Sequence, residues 1–176
     1  MTTTPLRVLM VEDSEMDAEL LLRELRHNGY DVTHERVQTA DTLRAALQHD
    51  VWDIIISDYS MPQFDTLGAL AVLAETGLDI PFIIVSGTIG EEMAVQTLHA
   101  GATDFLLKGK LSRLRASIEQ RLRDRAARRA QSEAEQALRA SELRFSRLCE
   151  SGTVGITVAD DSGRIVEANE AFVGML

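Results

Sequence analysis

The chain has 176 residues, of which 45% are hydrophobic and 26% are charged, and its formal net charge is −10. This composition fits one globular domain plus a smaller segment, and the negative charge argues against a general nucleic-acid-binding protein. There is no apolar run of membrane-spanning length and no signal peptide at the start, and the one cysteine cannot form an internal disulfide. We therefore expect a cytoplasmic protein without membrane insertion or direct contact with nucleic acid.

The charge divides the chain into three segments. Residues 1–111 hold 7 Lys/Arg against 18 Asp/Glu, residues 112–150 hold 10 against 6, and residues 151–176 hold 1 against 4. These differences mark three segments of different character. We expect a first domain, a long helix over 112–150 that continues its last helix, and in residues 151–176 the first part of a further domain.

Short apolar runs and helical repeats alternate along the first domain. Strands are predicted over residues 6–11, 31–37, 51–57, 80–86 and 104–107. Helices are predicted over residues 14–27, 39–49, 66–75 and 91–100. Ser14 suits the N-cap of the first helix, with Asp17 as its capping-box partner. The alternation predicts an α/β fold with a doubly wound parallel sheet, in which the polar second strand lies near an edge.

Polar side chains end these strands. Asp58 ends the apolar run Ile54–Ser57, and the following Pro62 excludes a longer central strand. The carboxyl edge of an open α/β sheet is where ligands bind, so we predict that Asp58 is a phosphorylation site. At the ends of other strands stand Glu12, Asp13, Ser86 and Lys108.

These side chains form a chemically coherent set. Adjacent strands lie about 5 Å apart, so the side chains can converge. Three carboxylates repel one another unless a cation intervenes, and Mg²⁺ binds few carboxylates while leaving places for phosphate oxygens. Lys108 supplies a positive charge and Ser86 a hydroxyl donor for a phosphoryl group. The set predicts phosphoryl transfer onto Asp58, in which positioning and charge neutralisation supply the catalysis.

Five motifs carry a resemblance to a known family. They are Val11-Glu12-Asp13-Ser14, Asp58-x-x-Met61-Pro62, Ser86-Gly87-Thr88, Gly101-Ala102-x-Asp104-Phe105 and Lys108. Over residues 5–125 the sequence resembles the receiver domain of bacterial two-component response regulators. The resemblance implies a flavodoxin-like fold with strand order 2-1-3-4-5 and a phosphohistidine donor on a histidine kinase or histidine phosphotransfer protein.

The resemblance also assigns roles to individual residues. It implies that Asp58 is the phosphoacceptor and that Lys108 contacts the phosphate. It implies that Ser86 is the switch hydroxyl and Phe105 the aromatic residue that follows it. The implied Mg²⁺ ligands are Glu12, Asp13, Asp58 and the backbone carbonyl of Ser60.

Three positions depart from the family pattern. Gly109 replaces the usual proline after the lysine, and a cis bond there would cost roughly 2.5–4 kcal/mol, so we expect a trans bond or a strained loop. Thr66 stands where a glycine is usual, which predicts a different start of that helix. Phe105 replaces the usual tyrosine and lacks a hydroxyl, so we expect it to favour the buried rotamer even without phosphate.

Beyond residue 111 the sequence predicts one long helix. Apolar residues recur at spacings of three and four, and no Gly or Pro interrupts 112–150. A single charged helix of this length is poorly stabilised alone, so we predict a parallel homodimeric coiled coil that transmits a signal. Residues 155–172 are typical of a hairpin followed by a helix, and they resemble the start of a PAS domain.

Other functions stay open at this point. A flavin- or nucleotide-binding enzyme needs a phosphate-binding loop after the first strand, where Glu12-Asp13 stand instead. An aspartyl phosphohydrolase usually has a second acid at the position of Ser60. The serious alternative is a receiver that only docks or dimerises, without phosphate turnover. The chain could equally be the N-terminal part of a hybrid sensor histidine kinase or a cyclic-dinucleotide enzyme; by itself we expect no enzyme beyond self-catalysed phosphorylation and dephosphorylation.

Overall fold

The computed structural model of the chain describes residues 3–62, 64–87, 91–150, 155, 157–168 and 170–174. The chain divides into two compact units, Met1–Ala126 and Ala127–Leu176. The five strands of the first unit are β1 (Thr4–Val11), β2 (Tyr30–Val37), β3 (Ile54–Asp58), β4 (Phe82–Ser86) and β5 (Asp104–Leu107). Its helices are α1 (Glu15–His27), α2 (Ala40–His49), α3 (Thr66–Thr76), α4 (Glu91–His99) and the start of α5 (Leu114–Glu150), and a 3₁₀ helix spans Lys108–Arg113.

The strands form one parallel sheet in the order β2-β1-β3-β4-β5, which confirms the predicted fold class. The polar strand β2 lies at an edge, as expected. Both faces of the sheet are covered: Ile55 and Ile84 pack into a core under α2 and α3, and Ile54 and Ile83 pack into a core under α1 and the start of α5. Burial on two faces explains why β3 and β4 begin with continuous apolar runs, Ile54–Ile56 and Phe82–Val85, instead of alternating.

Capping residues define several helix ends. Ser14 caps α1 and accepts a hydrogen bond from the backbone amide of Asp17. Asp65 caps α3 and accepts from the amide of Gly68 at 2.7 Å, so this helix begins at Thr66, its predicted first residue. Gly77 ends α3 in the left-handed conformation, with φ of 66°, which glycine adopts without a steric penalty.

Four predicted element starts were wrong by two residues or more. Strand β1 begins at Thr4 and not at residue 6, and β4 begins at Phe82 and not at residue 80. Strand β3 begins at Ile54 and not at residue 51, because Trp52 turns inward and its indole Nε1 donates to the carbonyl of Ala46 at 3.0 Å. The last helix was predicted from residue 112 but α5 begins at Leu114. The preceding residues form the 3₁₀ helix, in which Lys110 has non-helical angles, φ −130° and ψ 38°.

The second unit contains the rest of α5 and a small hairpin. Strands β6 (Thr157–Ala159) and β7 (Ile165–Ala168) pair in antiparallel fashion, and α6 (Glu170–Val173) follows, which confirms the predicted hairpin and helix. Asp160 closes the turn by accepting the amides of Ser162 and Arg164 at 3.0 and 3.1 Å. Within the described residues, no helix has the length and apolar character needed to cross a membrane.

Candidate functional site

Asp58 is the last residue of β3 and pairs with Val85, so it belongs to the strand and does not follow it. It is 8% exposed. Its backbone carbonyl accepts hydrogen bonds from the hydroxyls of Ser57 at 2.9 Å and Thr66 at 3.0 Å. The backbone of Asp58 is therefore held from β3 and from the first turn of α3.

Three carboxylates meet at this edge of the sheet. One oxygen each of Glu12, Asp17 and Asp58 lies within 4.8 Å of the others. Glu12 follows β1 directly, and β1 is hydrogen-bonded to β3, so the parallel register places it beside Asp58. Asp17 reaches the same point from the first turn of α1. Oxygen ligands grouped in this way suit a hard divalent cation.

Lys108 binds the cluster from the end of β5. Its Nζ lies 2.5 Å from Asp17 Oδ2, 3.1 Å from Asp58 Oδ2 and 3.9 Å from Glu12 Oε2. Burial lowers the pKa of Lys108, but the hydrogen bonds to Asp17 and Asp58 outweigh burial and leave this pKa raised. The lysine therefore stays charged and offsets one of the three negative charges.

Glu12 is the carboxylate most affected by its surroundings. Its pKa is raised from the ordinary 4.5 to about 7, chiefly by burial and also by the charge of Asp58, while the hydrogen bond from the Ser14 amide opposes the rise. Near neutral pH this side chain is divided between its acid and its carboxylate form. A bound cation would favour the carboxylate, so the metal affinity of the cluster is linked to pH.

The register of the sheet shows where the other predicted site residues, Ser86 and Phe105, lie. Ser86 ends β4 one residue beyond the partner of Asp58, and it pairs with Leu107, the residue before Lys108. It is 1% exposed and lies at the same edge. Phe105 lies in β5 and is half-buried against the core under α2 and α3. Its rotamer preference with and without phosphate stays a prediction.

Two predicted metal ligands are not brought into the cluster. Asp13 is exposed, and its carboxylate is outside the group of oxygens formed by Glu12, Asp17 and Asp58. Its backbone carbonyl, like that of Glu12, accepts a hydrogen bond from Arg36, at 3.2 and 3.1 Å respectively. Ser60 is exposed two residues beyond β3. The roles of Asp13 and of the Ser60 carbonyl remain predictions.

Asp17 is the site residue that the sequence reasoning missed. It was predicted as the reciprocal partner of a capping box, yet the Ser14 amide donates to Glu12 Oε1 at 3.0 Å instead. A signal was present: Asp17 is four residues before the buried Leu21 and so borders the buried face of α1.

The Lys108–Gly109 bond is trans, which is one of the two outcomes predicted for this position. Thr88, quoted for the family resemblance, lies outside the described residues.

Comparisons with known proteins agree with this geometry. The family model described as the response regulator receiver domain matches residues 8–119. The response regulator MprA of Mycolicibacterium vanbaalenii is 32% identical over 128 residues, which cover 70% of this chain and 54% of MprA. The chain thus spans about half the length of this relative.

Solved structures show the same relationship. The signal receiver domain of a signal transduction histidine kinase from Syntrophus aciditrophicus is 30% identical with a TM-score of 0.56, covering 68% of this chain and 91% of that one. Full-length FixJ from B. japonicum is 26% identical with a TM-score of 0.64, covering 80% and 70%. The chain belongs to the response regulator receiver domain family.

Proposed function

We propose that this receiver domain accepts a phosphoryl group on Asp58 from a phosphohistidine of a histidine kinase or histidine phosphotransfer protein. The observation that carries the proposal is the position of Asp58 at the carboxyl edge of the sheet, bonded to Lys108 and grouped with Glu12 and Asp17. A plain turn-forming aspartate would need neither a half-buried lysine nor two further acids.

The transfer itself needs little covalent chemistry from the protein. An oxygen of Asp58 forms a bond to phosphorus as the bond from phosphorus to the imidazole nitrogen breaks, and that nitrogen keeps the electron pair and takes up a proton. The hydroxyls of Ser57 and Thr66 hold the Asp58 backbone while Lys108 offers its charge to the phosphoryl oxygens. Ser86, at the adjacent strand end, is the proposed hydroxyl donor.

The residues present fit Mg²⁺. The cluster has an excess of negative charge over the single lysine, its ligands are oxygens, and Asp17 is partly exposed to solvent. When bound, Mg²⁺ would neutralise charge on the carboxylates and on the transferred phosphoryl group. We propose Glu12, Asp13, Asp58 and the Ser60 carbonyl as its ligands.

We further propose that the phosphorylation state reaches α5. Leu114 and Ile118 are fully buried in the core that also holds Leu106 of β5, so the start of α5 is packed against the strand that leads to Lys108. Farther along the helix Leu138 and Phe145, seven residues apart and so on one face, are exposed, as a seam for the parallel homodimer proposed over 112–150 requires. A cytoplasmic location and a PAS or other output domain following the 151–176 fragment belong to the same proposal.

Acetyl phosphate with Mg²⁺ tests the acceptor. We expect one phosphorylated band on a phosphate-affinity gel for the wild type and none for Asp58→Asn. The control is Asp31→Asn, which removes an exposed aspartate on β2 and should be labelled like the wild type. A wild-type chain that stays unlabelled with both acetyl phosphate and phosphorylated kinase would favour the docking-only alternative.

A further inference from the structure

The closest partner of Lys108 is Asp17 and not the proposed acceptor. Lys108 Nζ lies 2.5 Å from Asp17 and 3.1 Å from Asp58. The side chain of Asp17 is 33% exposed and that of Asp58 is 8% exposed. Asp17 therefore binds the ammonium from the more solvent-accessible side of the cluster, while Asp58 binds it from within.

Capping of α1 does not explain this arrangement. The cap uses the backbone amide of Asp17, which donates to Ser14 Oγ at 3.3 Å, and leaves the carboxylate unused. In a capping box the side chain of the third helical residue accepts a hydrogen bond from the N-cap amide. Here the Ser14 amide donates to Glu12 instead. Within the described part of the chain the Asp17 carboxylate bonds to Lys108, so its effect is on the lysine.

Phosphorylation changes what Lys108 has to contact. An ammonium group has three N–H donors, and two of them are directed at Asp17 and Asp58. A phosphoryl group adds roughly 1.5–2 negative charges and three strong acceptor oxygens. Because the lysine side chain is only 27% exposed, solvent screens its partners weakly, and a carboxylate on one side competes with a phosphoryl group on the other.

We propose that Asp17 is a positioning residue that retains Lys108 in the unphosphorylated chain and must release it when a phosphoryl group, or an anion of the same shape, occupies Asp58. The inference rests on the proposed function. It adds a residue that sets the balance between the two states through the lysine, without contacting the transferred group.

Replacement of Asp17 by asparagine isolates this effect. The amide keeps the size of the side chain but loses the charge, so its bond to the ammonium is weaker and Lys108 moves to the anion more readily. We expect Asp17→Asn to bind beryllofluoride about tenfold more tightly than the wild type in saturating Mg²⁺, since a charge-assisted hydrogen bond is typically worth about this factor. Glu15→Gln, an exposed acid in the same turn, is the matched control and should bind like the wild type.

The chemical state of Lys108 gives a second readout that needs neither metal nor phosphate. The chain has two lysines, Lys108 and the exposed Lys110, so acetylation followed by peptide mass spectrometry reports on both. In metal-free protein, Asp17→Asn should shift the labelling profile of Lys108 to lower pH and leave that of Lys110 unchanged. A purely structural role of Asp17 would not move one lysine selectively.

The full chain is used for all three proteins, with fluorine NMR for bound beryllofluoride and calorimetry for Mg²⁺. Tighter beryllofluoride binding at an unchanged Mg²⁺ affinity, together with the selective lysine shift, supports the proposal. Equal or weaker beryllofluoride binding by Asp17→Asn overturns it, and so does a loss of Mg²⁺ affinity, which would make Asp17 a metal ligand. A wild-type chain that binds no beryllofluoride would overturn the proposed function itself, which is a different result.

Discussion

Glu12→Gln should stabilise the metal-free receiver domain, and the gain should grow with pH. Glu12 is 6% exposed, and burial raises its pKa from 4.5 to about 7. The folded chain therefore keeps this proton to higher pH than the unfolded chain. It binds more protons between pH 4.5 and about 7, so its free energy of unfolding falls as the pH rises through this window.

The size of the effect follows from the same two values. A pKa difference between 4.5 and about 7 corresponds to about 3 kcal/mol of stability, which is fully present below pH 4.5 and lost once the pH exceeds about 7. Glutamine resembles the protonated acid and does not titrate, so the variant avoids this loss. The titration of Lys108 does not overlap with that of Glu12. The raised pKa of Lys108 gives a stability contribution that is constant from pH 4.5 to 8 and is lost only in strong alkali.

Urea unfolding in a chelator, at intervals from pH 5 to 8, measures the difference. Trp52 is the one tryptophan of the chain and is 2% exposed in the core, so its fluorescence reports on the first unit. Glu15→Gln controls for removal of one acid near the start of α1. Added Mg²⁺ should raise the stability of the wild type most at pH 8, where its ligand is ionised. Parallel pH profiles for the wild type and Glu12→Gln would refute the reasoning.

Three further substitutions test how the site and α5 are held. Thr66→Val removes the hydroxyl that donates to the carbonyl of Asp58, the proposed acceptor. We expect a loss of about 1–2 kcal/mol in urea unfolding and slower acetyl phosphate labelling, and unchanged labelling would contradict this expectation. Arg125→Met removes hydrogen bonds of 3.0 and 3.1 Å to the carbonyls of Trp52 and Asp53 and should cost about 1–3 kcal/mol by the same assay. Gly77→Ala forces a side chain to φ of 66° and should lower the melting temperature by an amount equivalent to about 1 kcal/mol.

The sequence predicted the sheet because each of its signals is local. Runs such as Ile54–Ile56 are apolar at every position, as burial on both faces demands, and Gly77 ends its helix where the apolar pattern stops. Alternation of strands and helices then fixes parallel strands, and parallel strands bring their carboxyl ends to one edge. Asp58, Glu12 and Lys108 met there as predicted.

Asp17 could not be assigned in the same way because its role depends on tertiary packing. Its sequence neighbours indicate a helix start, and the capping rule gives an acid at that position a sufficient local reason. Only the docking of α1 on the sheet turns the carboxylate toward Lys108. The inward turn of Trp52, which shortened β3, has the same origin, since a bond to Ala46 of α2 outweighed local strand propensity.

Strand β5 contacts the hydrophobic cores on both faces of the sheet. Its residues alternate, so Phe105 packs on the core under α2 and α3 while Leu106 packs on the core that holds α5. Lys108 follows this strand directly and is the first residue of the 3₁₀ helix, in which Lys110 has non-helical backbone angles and lies between the site and α5.

Beyond that point the helix is fastened to the domain. The hydroxyl of Ser117 donates to Asp104 of β5, and Arg125 donates to the carbonyls of Trp52 and Asp53. A shift of Lys108 toward a phosphoryl group must therefore be absorbed in the 3₁₀ helix or move α5 against these bonds. The 3₁₀ helix buries no residue, so it deforms more easily than α5 moves. The phosphorylation state therefore reaches α5 only if the shift of Lys108 is larger than the 3₁₀ helix can absorb. The Arg125→Met variant separates the cases: if α5 moves, weakening its anchor should change beryllofluoride affinity as well as stability.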